Sequence, residues 1–139
     1  QVADELFPDA AARNVEIAVE CPEGVQAFVD PDKMARALSN VVRNAVAYAR
    51  QGSAVAVRVS CEDEPRIRIE VENRGREISQ AHLESIFEKF FREDGARASR
   101  KGGAGLGLAI AKEILMAHGG TIAASSEAGI TVFTLEFPA

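Results

Sequence analysis

The chain has 139 residues, 47% of them hydrophobic and 27% charged, with a formal net charge of −5. That length fits one domain able to bury roughly two-thirds of its unfolded surface, and the composition excludes a disordered chain. The acidic balance argues against a nucleic-acid partner, which needs a basic face to neutralise phosphates.

Two cysteines, Cys21 and Cys61, fall in separate predicted strands without metal-type spacing, and free thiols in a reducing compartment are expected. No apolar run approaches membrane-spanning length and no signal peptide is seen, so direct membrane contact is not expected. The chain opens on Gln1 rather than Met, which suggests a fragment of a longer protein.

Gln1 to Arg13 is polar and alanine-rich and reads as a lead-in. Asn14 to Glu20 alternates, with Val15, Ile17 and Val19 on one face of a strand. A turn at Pro22-Glu23-Gly24 precedes a second short strand, Gln26 to Val29. Asp30-Pro31-Asp32 is a helix start, and the helix runs to about Arg50. Met34, Leu38, Val41, Val42, Ala45 and Ala49 form its buried stripe, with Arg36, Arg43 and Arg50 on the solvated side. Ala54 to Cys61 and Arg66 to Asn73 make a hairpin around an acidic turn. Ser79 to Phe87 predicts a short helix crowded at its end by Phe87, Phe90 and Phe91. Arg92 to Gly103 has almost no apolar side chain and reads as a mobile basic loop. A helix follows from Leu106 to His118, ended by glycine in the left-handed cap position. Thr121 to Ser125 and Ile130 to Phe137 form a final strand pair.

Three polar groups interrupt this pattern. Asn44 lies on the flank of the helical stripe, where a cleft wall would be. Asn73 continues the inward period of Ile67, Ile69 and Val71, and a buried amide needs a hydrogen-bond partner. Thr131 shares the face of Phe133, Leu135 and Phe137. A neutral amide oxygen at Asn44 suits Mg²⁺ already held by phosphates. The glycines at 103, 105 and 107 open a helix whose N–H groups can meet an anion, although a flexible connector fits a glycine-rich turn equally well. Arg92, Arg97, Arg100 and Lys101 suggest a lid engaging phosphates; for any one of them a solvated charge is the ordinary reading. Asn40 by itself reads as a tolerated surface residue. His82 reads as a surface residue, and His118 sits at a helix C-terminus, where a cation is favoured. Neither has a catalytic companion. Together these features predict an ATP site.

Asn40-x-x-x-Asn44-Ala45, Asn73-x-Gly75, Phe87-x-x-Phe90, Gly103-x-Gly105-x-Gly107-Leu108 and His118-Gly119-Gly120 resemble, in order and spacing, the N, G1, F and G2 boxes of bacterial sensor histidine kinases. Within that family Phe87-Glu88-Lys89-Phe90 and the run from Gly102 to Glu113 are most similar to the vancomycin-resistance sensors. The resemblance implies the GHKL, or Bergerat, ATP-binding fold. That is an α/β (α+β) two-layer sandwich of a mixed, mostly antiparallel sheet covered by helices, with a lid over 92–104. It also implies that residues 1–13 lead in from an upstream helical hairpin.

By the same resemblance Asn44 holds Mg²⁺, Asn40 lines the cleft and acts in catalysis with Arg97 at the γ-phosphate, and Tyr48 approaches the phosphates. Asn73, Gly75, Ile78 and Thr131 contact the nucleotide, Thr131 fixing adenine through water. Gly103, Gly105, Leu106 and Gly107 form the lid hinge and phosphate turn. The implied protein is a homodimeric, membrane-anchored kinase with this domain in the cytoplasm. Its own dimerisation domain carries the phosphoacceptor histidine, and a response regulator acts downstream.

The sequence departs from the family pattern at three places. Asn73 stands for the usual aspartate, which predicts weaker ATP binding through loss of charge assistance. Glu77 stands for a glycine, and Ala47 for a lysine. Neither His82 nor His118 has phosphoacceptor surroundings, so the chain is expected to bind nucleotide without phosphorylating itself, the nucleophile arriving in trans. A self-standing serine kinase of the same fold and a degenerate nucleotide-binding scaffold are the alternatives. The Phe-rich box and His-Gly-Gly favour the histidine branch.

Overall fold

A computed structural model of the chain describes residues 15–21, 29–61, 66–89 and 106–138. The first strand, β1 (Glu16–Glu20), starts later than the alternation predicts. Val15 is buried and Ile17 half-buried, but Val19 is 63% exposed, against expectation. The strand lies at the sheet edge, and no described element covers its far end. The expected strand over 26–29 falls almost wholly outside the described residues.

Helix α1 (Pro31–Tyr48) begins as predicted: the Asp30 carboxylate accepts the Lys33 N–H at 3.1 Å, and proline occupies the first turn, where no intrahelical donor is lost. It ends before Arg50 because Ala49 turns extended and pairs with Gly75. Ala37 and Val46 join Met34, Val41, Val42 and Ala45 in the core, while Leu38 is only half-buried. Arg36, Arg43 and Arg50 are exposed, as expected for the outer face.

The hairpin of β2 (Ala54–Ser60) and β3 (Arg66–Arg74) is antiparallel, with Val57 opposite Val71. Strands β4 (Thr121–Glu127) and β5 (Ile130–Pro138) form the second hairpin. The sheet order is β1-β2-β3-β5-β4, antiparallel except where β1 runs parallel to β2. Helix α2 (Gly107–Ala117) packs beside α1, and both close one core with the inward residues of β2, β3 and β5. The other face is charged. There Arg58 reaches Glu72 at 2.8 Å and Arg68 reaches Glu136 at 2.9 Å.

The helix expected over 79–87 is a run of tight turns closed by one 3₁₀ turn, Ser85–Phe87. The segment is short for a stable α-helix. Its ends are also held by tertiary contacts: Ile86 and Phe87 are buried, and Phe87 meets Phe133 edge-on at 6.4 Å. Phe90 and Phe91 lie outside the described residues. His82 is half-buried rather than on the surface. Helix α2 ends as expected. Gly119, at φ 75°, lets its own N–H reach Met116 C=O and that of Gly120 reach Leu115 C=O, a double bond pattern that closes the helix. Cys21 and Cys61 form no disulfide.

A candidate nucleotide site between two helices and the sheet

The end of α1 is stitched to the end of β3. Arg50 N–H donates to Arg74 C=O at 2.7 Å, and Arg76 N–H donates to Tyr48 C=O at 3.3 Å. Only glycine permits this. A Cβ on Gly75 would sit 2.2 Å from the Tyr48 carbonyl oxygen and 2.7 Å from the Arg50 nitrogen. From that junction Asn73 is two residues back along β3 and Asn44 five residues back along α1, roughly 7 Å in each direction.

Asn73 is fully buried, and neither its Oδ1 nor its Nδ2 has a hydrogen-bond partner; the shielded Oδ1 of Asn44 also lacks one. A buried polar atom left unpaired costs about 1–3 kcal/mol, so these atoms mark the place where a partner belongs. Thr131 differs. It lies opposite Asn73 in the β3–β5 register and is buried, but its Oγ1 is 2.8 Å from Ser126 Oγ, which also accepts the Ile78 N–H at 2.8 Å. Thr131 therefore has a protein partner, and the expectation of three equally orphaned groups is corrected to two. Ser126 went unnoticed because β4 was expected to stop at Ser125. Extending the period of two from Ile122 and Ala124 would have placed Ser126 inward.

The remaining predicted residues are partly gathered here. Asn40 donates from Nδ2 to Gly107 C=O at 3.1 Å, joining α1 to the first turn of α2. Leu106 caps α2 without a side-chain bond, so the opening N–H groups of this eleven-residue helix have no intrahelical acceptor. They can meet an anion. Tyr48 is half-buried with the Arg76 guanidinium 4.7 Å above its ring, a cation that sequence reasoning did not single out. Ile78 is buried. Glu77 accepts the Gly129 N–H at 3.1 Å, so it ties the segment after β3 to the β4–β5 turn. Arg97, Gly103 and Gly105 lie outside the described residues, as does the basic segment from Arg92 to Gly103. His118 is not held as a cation would be: Nδ1–H donates to Ile114 C=O at 2.8 Å and Nε2 accepts the Asp30 N–H at 3.1 Å. Arg58, whose pKa is raised first by the hydrogen bond to Glu72, sits on the opposite face.

A family model described as histidine kinase-, DNA gyrase B-, and HSP90-like ATPase matches residues 29–139. The chain belongs to this family. Its architecture is the Bergerat fold of these ATPases, a mixed sheet, five-stranded among the described residues, covered by helices. The sensor protein VanS of Enterococcus faecium is 42% identical over the full chain, which spans 36% of that relative. The catalytic domain of histidine kinase ThkA superposes with a TM-score of 0.82 at 26% identity, over 99% of this chain and 86% of that one. Full-length ShkA in complex with AMPPNP gives a TM-score of 0.81 at 29% identity, over 99% of this chain and 28% of that one. The chain thus spans about a third of the length of the curated VanS-type relatives it matches.

Proposed function

We propose that this chain is the ATP-binding catalytic domain of a two-component sensor histidine kinase. The observation that carries the reading is the buried amide of Asn73 together with the shielded Oδ1 of the half-buried Asn44, three polar atoms that no protein group satisfies. The Asn44 oxygen has the chemistry to hold Mg²⁺ that arrives with the phosphates, since Mg²⁺ takes oxygen donors and keeps several waters. When bound, the ion supplies charge neutralisation for the phosphoryl group. Asn73 takes the purine, with Thr131 beside it. The N–H groups at the start of α2, which have no intrahelical acceptor, face the phosphates together with the turn of Gly103, Gly105, Leu106 and Gly107. Tyr48 and Arg97 approach the same phosphates, and Asn40 lines the cleft while bracing Gly107.

Phosphoryl transfer on this reading is positioning and electrostatics, with the nucleophile a histidine on the protein's own dimerisation domain. The whole protein is then a homodimer anchored in a membrane, with this domain in the cytoplasm and a response regulator downstream. Among the described residues no helix is long and apolar enough to cross a membrane. The identity with VanS and the motif likeness to vancomycin-resistance sensors support a place in glycopeptide-resistance signalling. The test mixes the chain with γ-labelled ATP, Mg²⁺ and a cognate histidine-bearing hairpin. Label should reach histidine, and Asn44→Asp, which sets a second anion beside the phosphates, should slow transfer by at least about 100-fold. Label on a protein serine would point instead to a self-standing serine kinase. No saturable nucleotide binding would leave only a scaffold.

A further inference from the structure

Three inward groups form one row across the sheet. Ser126 on β4 is paired with Thr131 on β5, and Thr131 with Asn73 on β3. All three are at least 98% buried and none carries charge. Asn73 has no protein bond at either end of its amide, so nothing in the protein decides which way Oδ1 and Nδ2 point. The Ser126–Thr131 contact at 2.8 Å can run in either direction, because either hydroxyl can be its donor. With the Ser126 oxygen accepting from Ile78 N–H in both cases, Thr131 is left presenting a proton or a lone pair.

We infer that this row is a reversible reader of the purine edge, and that it accepts guanine as well as adenine nucleotides. The inference rests on the nucleotide reading above. Adenine offers an amino donor beside a ring-nitrogen acceptor. Guanine offers a carbonyl acceptor beside a ring N–H donor. One amide orientation, Oδ1 to the amino group and Nδ2 to the ring nitrogen, matches adenine. The amide turned over matches guanine, Nδ2 to the carbonyl and Oδ1 to the ring N–H. A carboxylate in the same place accepts only, so it would suit the adenine amino group and oppose the guanine carbonyl. An unmatched buried group costs roughly tenfold to a hundredfold in affinity, enough to set selectivity.

Calorimetric titration of the 139-residue chain with MgADP and with MgGDP tests this, repeated on Asn73→Asp. The native chain should bind MgGDP within about tenfold of MgADP, and the variant should widen that ratio by about tenfold or more in favour of ADP. MgGDP weaker than MgADP by more than about tenfold on the native chain, or a ratio unchanged in a folded variant, overturns the inference. The native ratio decides alone should the variant fail to fold. If neither nucleotide binds either protein, the nucleotide reading falls as well, which separates the two failures.

Discussion

Asn73 and Gly75 are two residues apart on one strand end, and they answer to different physics. Gly75 is required by the backbone: its missing Cβ is what lets Tyr48 and Arg50 come within bonding distance of β3. Gly75→Ala should therefore cost about 2–4 kcal/mol, read as a shift of the urea midpoint at unchanged slope. A smaller loss would mean that the α1–β3 junction is softer than its bonds suggest. Asn73 is required by nothing inside the protein, and that is why it points to a ligand. The family likeness led the sequence reading to treat both as nucleotide contacts. The packing of the Tyr48 carbonyl against Gly75 gives that glycine a structural reason of its own, which the Asn73 amide lacks.

At the scale of elements, the β4–β5 hairpin closes through Ala128 at φ 54° and Gly129 at φ 79°, a turn that asks for two left-handed residues. Alanine is poorly suited to that region, whereas asparagine is favoured at the first position of such turns. Ala128→Asn should stabilise the chain by about 0.5–1 kcal/mol and raise Tm by about 2–4 °C in calorimetry. No gain would place the turn's strain elsewhere. Glu77 belongs to the same story. It stands where the family pattern has glycine, and its carboxylate holds the Gly129 N–H and so braces this hairpin. Element identities were legible along most of the described chain because the apolar period is local: 3.6 for α1 and α2, two for β3 and β5. The segment over 79–87 was misread since its apolar residues are spaced for a helix, while the pull of Ile86 and Phe87 into the core allows only turns.

At the scale of the molecule, α1, α2 and the sheet enclose one core among the described residues and leave the Asn73 amide and the Asn44 oxygen unsatisfied at the junction among them. A ligand that binds the folded chain alone adds stability in proportion to the logarithm of its concentration, about 2.7 kcal/mol at a hundred times Kd. MgADP should accordingly raise Tm in a scan of the isolated chain. Removing Mg²⁺ with EDTA should shrink most of that gain, if Asn44 meets an ion that comes with the phosphates. A gain insensitive to EDTA would take the metal role from Asn44.

The amino-acid order alone carried the strand and helix pattern, the caps at Asp30 and Gly119, the two amides out of place, and the family likeness. Each of these depends on neighbours within a few positions or on motif spacing. Tertiary structure decided which polar groups have partners. Thr131 is answered by Ser126, Asn40 by Gly107, Glu77 by Gly129 and His118 by Asp30, over separations of 5 to 88 residues. Hydrogen bonds between distant segments leave no period in the sequence, so only the folded chain shows that Asn73 and the Asn44 oxygen remain unanswered.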